Sequence, residues 1–187
     1  GLSAALAAAA AGAPVLLIDS NPRLGGQYWR MSSDDVDQQG EQHFDLETGL
    51  ILINAVKARK EIEVLSGAQI WSATHKDGVN TLRVIQNGVE KIINTKNIVL
   101  CTGAYDRTLP FPGWDTPGVM TPGGVQSLLK GHGVLAGKKV VVAGSGPFLL
   151  PVAAGVVKAG GEVVDLLEAN NSARWLLSPF VMLENVG

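Results

Sequence analysis

Lys139-Val140-Val141-Val142-Ala143-Gly144-Ser145-Gly146-Pro147 opens the stretch that decides the fold, and Glu162-Val163-Val164-Asp165-Leu166-Leu167-Glu168 closes it. The first five residues read as an apolar strand and Gly144–Pro147 as a tight turn. Phe148–Ala159 then has the length of a helix, and Glu162–Glu168 reads as a second strand ending on an acid. Such a βαβ unit leaves the N–H groups at the helix N-terminus unpaired and aimed at one point, where a pyrophosphate can accept them. Glu168 follows Gly144 by 24 positions. That is close to the spacing of about 20 residues at which a carboxylate meets an adenosine ribose. The stretch predicts a dinucleotide site, or the relic of one, with Gly144, Gly146 and Glu168 as its cofactor-binding residues.

The first residues read as the same unit with its opening missing. Gly1-Leu2-Ser3-Ala4-Ala5-Leu6 begins an alanine-rich helix that stops at Gly12, and Pro14-Val15-Leu16-Leu17-Ile18-Asp19 is a strand closing on an acid. With Gly1 as the third glycine of a Gly-x-Gly-x-x-Gly turn, Asp19 falls at the ribose spacing, and both become candidate cofactor residues. No methionine and no strand stand before Gly1, so the sequence is expected to be a fragment truncated at both ends. Two such units in one chain are a far more specific signal than one.

Composition sets limits on function. Across 187 residues, 46% hydrophobic content can fill a core, and 23 glycines suit an architecture of tight turns. A net charge of −2 gives no electrostatic reason to expect nucleic acid or an anionic membrane as a partner. Cys101 is the single cysteine, which forbids an internal disulfide and points to a reducing compartment, the cytoplasm. Gly1–Ile18 and Val140–Val157 are uncharged and approach the length of a membrane span. Glycines and prolines break both, so buried βαβ elements are the better reading and no span is expected.

Between the two units the pattern changes. Leu46–Ala58 has spaced apolar positions and basic residues after them, fitting an amphipathic helix. Ile62–Leu65, Ala68–Thr74, Thr81–Gln86 and Val89–Thr95 read as strands, the last two flanking Asn87-Gly88, a strong hairpin signal. An antiparallel meander over about residues 62–95 is expected among parallel βαβ elements. After it, Thr95–Ala104 reads as a buried strand ending in a small-residue turn, with Cys101 in the core. The fold class predicted is α/β, with Rossmann-like domains and an inserted meander.

In this order of elements the chain resembles the flavoproteins with two dinucleotide-binding domains, the glutathione and thioredoxin reductase superfamily. Leu24-Gly25-Gly26-Gln27-Tyr28-Trp29, Cys101-Thr102-Gly103-Ala104-Tyr105-Asp106-Arg107 and Pro112-Gly113-Trp114-Asp115-Thr116-Pro117-Gly118-Val119 look like one branch of it. That branch holds the FAD-containing large subunits of hydrogen cyanide synthase, opine oxidase and related heteromeric amine oxidases. The resemblance implies FAD as cofactor and a second domain for NAD(P). It places residues 1–127 in the FAD-binding domain and 128–187 in the start of the second. It also implies FAD contacts at Gly1, Asp19, Gly25, Gly26, Gln27, Thr102 and Gly103, and, as partner, a second oxidase or dehydrogenase subunit. The reaction it implies is oxidation of a small amine or amino acid. The alternatives are an NAD(P)H-dependent flavin reductase or electron-transfer subunit, and a non-catalytic dinucleotide-binding module.

One departure and several absences sharpen this. Leu149 stands where the second unit's third glycine would allow close helix–strand packing. Either the helix shifts to keep the turn's amides exposed, or Leu149 packs across the turn and the domain becomes scaffold. No cysteine pair stands in Gln27–Asp35 or Thr121–Lys138, so this segment carries no dithiol chemistry. His43, His75 and His132 lack ligand spacing, Ser32–Asp37 lacks a calcium loop's pattern, and no metal is expected. A flavin accounts for the missing acid–base constellation, because the cofactor itself supplies the redox chemistry.

Overall fold

The computed structural model of the chain describes residues 1–30 and 46–170. Ser32–Asp37, His43 and most of Gln27–Asp35 lie outside the described residues. The described residues form two compact units, 1–30 with 46–104, and 105–170.

In the first unit, helix α1 (Leu2–Ala10) follows from its run of alanines, the best helix former, and ends where Gly12 takes a φ of +84°. It buries Leu2, Ala5 and Ala9, three positions on one face. Strand β1 (Val15–Asp19) follows. Helix α2 (Leu46–Ala58) lies between β1 and strand β2 (Ile62–Ser66), which pairs parallel with β1 from Val15↔Ile62 to Asp19↔Ser66. A parallel pair needs such a long crossover. Buried Ile53 and Val56 lie on one face of α2.

Gly67, at φ +62°, turns the chain into an antiparallel sheet of β3 (Ala68–Lys76), β4 (Val79–Gln86) and β5 (Val89–Thr95). Asn87-Gly88 closes the predicted hairpin with φ of 52° and 76°, and Asp77-Gly78 closes β3–β4 with the same pair of angles. Both are two-residue turns requiring positive φ, where Asn, Asp and Gly are tolerated. Leu65, Ala68, Leu82 and Val84 form the core between the sheets, with Leu16, Ile18 and Ile93 against them. On the outer face Arg83 stacks over Trp71 and pairs with Glu90.

Two expectations are corrected here. The meander begins at Ala68, because Ile62–Ser66 joins β1 in a parallel pair instead of opening the antiparallel sheet. Thr95–Ala104 does not continue as a buried strand. β5 stops at Thr95, and Val99 and Leu100 are 70% and 80% exposed. Among the described residues no strand lies beside this segment to complete a ladder, and an apolar run without one has nothing to bury it. Cys101 is accordingly exposed, not a core residue.

In the second unit, helix α3 (Pro122–His132) precedes β6 (Lys139–Gly144), helix α4 (Leu149–Lys158) and β7 (Glu162–Glu168). The first turn of α3 carries proline and two glycines, yet its start is well defined. Thr121 Oγ1 accepts from the Gly124 amide at 3.2 Å and Asp106 Oδ2 from the Gly123 amide at 2.8 Å. A Cβ at Gly123 would collide with that carboxylate, so the Asp106 contact explains the glycine. Burial half-way into the protein pushes the ammonium pKa of Lys130, in the last turn of α3, below the ordinary lysine value. Strands β6 and β7 pair parallel from Lys139↔Glu162 to Gly144↔Glu168. Leu149, Val152 and Val156 line the buried face of α4, and Leu149 and Val152 share a cluster with Val142, flanked by Val140 and Val163. Each such side chain, once buried, is worth about 1.5–3 kcal/mol, which makes this stripe the main anchor of the helix.

Candidate dinucleotide sites

In the first unit the end of β1 carries Asp19. Its Oδ1 accepts from the Asn21 backbone N–H at 2.9 Å and from Asn21 Nδ2 at 3.1 Å. This turn, built from an aspartate and the backbone two residues on, holds the half-buried carboxylate still. Among the described residues Oδ2 accepts nothing.

Gly1 caps α1, its carbonyl accepting from Ala5 N at 2.9 Å. A Cβ built on Gly1 would lie 3.7 Å from Cys101 Cβ. The segment that carries Thr102 and Gly103 therefore passes beside the N-terminus of α1, joining residues a hundred positions apart in the chain. Gly103, at φ +75°, and Gly26, at φ +63°, have open space where a side chain would start, and Gln27 is exposed. Gly25 is more constrained. Its φ is +125°, its carbonyl accepts from Trp29 N at 3.2 Å, and a Cβ there would sit 2.7 Å from the Trp29 carbonyl oxygen.

The Trp29 indole is the feature that sequence reasoning missed. A Cβ at Gly49, in the middle of α2, would lie 2.6 Å from Trp29 Cγ, so the ring occupies the space that a side chain would take. Tyr28 packs edge-on at 5.4 Å between ring centroids. The indole Nε1 is shielded from solvent and, among the described residues, has no hydrogen-bond partner. The signal in the sequence was a glycine inside an amphipathic helix, which costs about 1 kcal/mol against alanine unless packing requires it.

In the second unit Gly144 ends β6, and Gly146 takes a φ of +93° with open space beside it. Leu149 is buried, and its Cδ2 would lie 3.1 Å from a Cβ at Gly144. The leucine thus fills the space over the first glycine of the turn. The Leu149 and Leu150 amides bond back to the Gly146 and Pro147 carbonyls at 3.3 and 3.2 Å. Glu168 reaches across: Oε2 accepts from Gly146 N at 2.9 Å and Oε1 from Asn170 N at 2.8 Å. Each bond to a charged acceptor is worth about 1.5–3 kcal/mol at most when buried. Because Glu168 is only half-buried, Glu168→Ala is expected to lower stability by about 1–2 kcal/mol. Urea unfolding measures this, and Glu168→Gln, which keeps an acceptor oxygen, is expected to recover part of the loss.

Among the described residues no group of three His, Cys, Asp or Glu side chains could hold a metal ion, and no helix is long and apolar enough to cross a membrane.

A parallel β1-α2-β2 unit with Asp19 at the end of its first strand, an antiparallel meander after it, and a parallel β6-α4-β7 unit closing on Glu168 beside the Gly144–Gly146 turn make a Rossmann-like α/β protein. Residues 1–179 match the model of the pyridine nucleotide-disulphide oxidoreductase family, and the chain belongs to that family. It is 34% identical to an opine oxidase subunit from Agrobacterium tumefaciens, over 97% of this chain and 39% of that protein. With the hydrogen cyanide synthase subunit HcnB of Pseudomonas protegens it shares 31% identity, over 90% of this chain and 36% of that protein. The alpha subunit of sarcosine oxidase from a Corynebacterium species is 30% identical over 92% of this chain and 18% of that protein. The chain thus spans less than two-fifths of the length of these relatives. The crystal structure of L-proline dehydrogenase from P. horikoshii superposes with a TM-score of 0.63 at 23% identity, over 83% of this chain and 30% of that one. That likeness supports the fold.

Proposed function

We propose that the complete protein is an FAD-dependent oxidoreductase that oxidises a small amine or amino acid as one subunit of a heteromeric oxidase or dehydrogenase. The observation that carries this reading is the set of relatives. An opine oxidase, a sarcosine oxidase and a hydrogen cyanide synthase are each represented by one of their subunits, and each aligns over nine-tenths or more of this chain. Opines and sarcosine are both N-substituted amino acids, which makes that substrate class the first to assay.

The first unit fits FAD in its own chemistry. Asp19 offers a held carboxylate oxygen to ribose hydroxyls, Gly25 and Gly26 let backbone approach the cofactor, and Gln27, Thr102 and Gly103 supply exposed polar and small surface near α1's N-terminus. Gly1 leaves that terminus uncovered. Bound there, the flavin would accept the substrate's two electrons, while these residues orient it and exclude water. The single cysteine rules out dithiol exchange within this chain. Assignment of residues 1–127 to the FAD-binding domain, 128–187 to the second domain, and the whole to the cytoplasm belongs to the same proposal. The complete protein is expected to be yellow and to bleach when its amine substrate is added without oxygen. A colourless protein that takes up no FAD on reconstitution would overturn the proposal.

For the second unit, two observations favour scaffold over a working NAD(P) site. Leu149 packs over Gly144, and the Glu168 carboxylate engages the Gly146 amide that a pyrophosphate would need. Calorimetric titration of the complete protein with NAD tests it. Tight binding would restore Gly144, Gly146 and Glu168 as nucleotide ligands and favour the flavin-reductase alternative.

A further inference from the structure

We infer that Asn87 is a covalent modification site: its side-chain amide is lost to attack by the Gly88 backbone nitrogen, at a rate gated by the β4–β5 hairpin. Asparagine is among the thermolabile side chains, and Asn87 is the only one in the chain followed by glycine. Both residues are exposed at the hairpin tip, between Gln86 and Val89, which pair with each other. The space where a Gly88 side chain would start is open, so no Cβ hinders the attacking nitrogen. Asp77-Gly78 closes the β3–β4 turn with the same pair of angles. A carboxylate is a far poorer electrophile than an amide, however, which singles out Asn87.

In the reaction a bond forms from Gly88 N to Asn87 Cγ, closing a five-membered imide. The Cγ–Nδ2 bond breaks, and ammonia leaves with the proton given up by Gly88 N. Water then opens the ring at either carbonyl to leave aspartate or isoaspartate, and no electrons are exchanged. Ring closure needs Gly88 N and Asn87 Cβ on the same side of the Asn87 Cα–C bond. The turn forbids this. Positive φ at both residues, 52° and 76°, makes it a type I′ turn. The first central ψ of such a turn is about +30°, which sets the nitrogen and Cβ nearly opposite each other. The closed hairpin therefore protects Asn87, and reaction waits for the tip to open. Gln86 holds it shut: its Nε2 donates to the Ser66 carbonyl at 2.7 Å, and its Oε1 accepts from Lys91 Nζ at 2.7 Å. Isoaspartate puts an extra main-chain atom into a two-residue turn, which disturbs the Gln86↔Val89 register. Among the described residues β4 is the only ladder partner of β5, and Ile93 of β5 packs on the core, so damage at the tip reaches it.

The experiment incubates the complete protein in warm, mildly alkaline buffer. Peptide mass spectrometry follows the amide-to-acid mass gain at position 87 and the isoaspartyl fraction. Modification is expected at Asn87 ahead of every other asparagine, and about 10-fold faster in guanidinium-unfolded than in folded protein. Gln86→Ala should speed the folded protein about 3-fold, because both bonds that hold the tip are lost. Lys91→Ala, which leaves the Ser66 bond in place, should speed it less. Aged protein should melt below Asn87→Asp, which carries the same new charge on an unaltered backbone. Absence of modification at Asn87, or faster modification at another asparagine, would overturn the inference. Equal rates in folded, unfolded and Gln86→Ala protein would overturn it too, since the hairpin would then gate nothing. None of these readouts needs bound FAD, so the result stands apart from the flavin reading.

Discussion

Gly25→Ala is expected to cost about 3 kcal/mol of stability and to remove tight FAD binding with it. Two effects add. At φ +125° any L side chain is strained, which alone costs about 1–3 kcal/mol. The new Cβ would also stand 2.7 Å from the Trp29 carbonyl oxygen and 3.2 Å from Trp29 Cβ. The first of these is backbone, not the far end of a flexible side chain, so relief requires the whole turn to open. Opening it breaks the bond from Trp29 N to the Gly25 carbonyl and lifts the indole off Gly49. Gly26→Ala is the control. Its φ of +63° is also positive, but a Cβ there meets nothing within 4 Å, so about 1 kcal/mol is expected. Urea denaturation of the apoprotein, followed by FAD titration of both variants, checks the order. Equal losses for the two variants would mean that the close approach at Gly25 is relieved cheaply.

The contrast between these neighbouring glycines shows what was legible in the sequence. Local rules carried a long way. The α2 range, the Asn87-Gly88 turn, the limits of β7 and the placement of both acids at strand ends follow from periodicity, turn chemistry and spacing. Pairing partners were not legible, because a short strand reads alike whether its neighbour runs parallel or antiparallel. Ile62–Ser66 was therefore assigned to the meander although it joins β1. Burial was misjudged for the same reason at Ile98, Val99 and Leu100, whose apolar character says nothing about whether a neighbouring strand is there to cover them. Of the site, the carboxylates and glycines could be nominated one at a time. The seating of Trp29 could not, since it depends on a notch at Gly49 that lies 20 positions away and in another element. Leu149 shows the opposite case: its departure from the glycine pattern posed two outcomes in advance, and its place in the core with Val142 and Val152 decides where the side chain goes.

Asp19 bears the largest expected effect on binding alone. If its Oδ2 receives the adenosine ribose hydroxyls, Asp19→Ala should weaken FAD binding about 10- to 100-fold, the loss expected for hydrogen bonds to a charged acceptor. Alanine also removes the acceptor for the Asn21 backbone and side chain, so lower affinity in that variant could reflect a loosened turn. Asp19→Asn separates the two. Its amide oxygen can still accept from the Asn21 N–H and keep the turn closed, but it offers the ribose a neutral group in place of a carboxylate. Weak FAD binding in Asp19→Asn, with apoprotein unfolding at the wild-type urea midpoint, assigns the loss to the ligand contact. Asn21→Ala provides the reverse arm, because it removes the 3.1 Å side-chain bond while leaving both the backbone bond and the carboxylate in place. That variant should bind FAD within about 3-fold of wild type, since only a neutral donor at the rim of the site is lost. Wild-type affinity in both Asp19 variants would show that the acid merely ends β1, and would move the adenosine away from the strand end altogether.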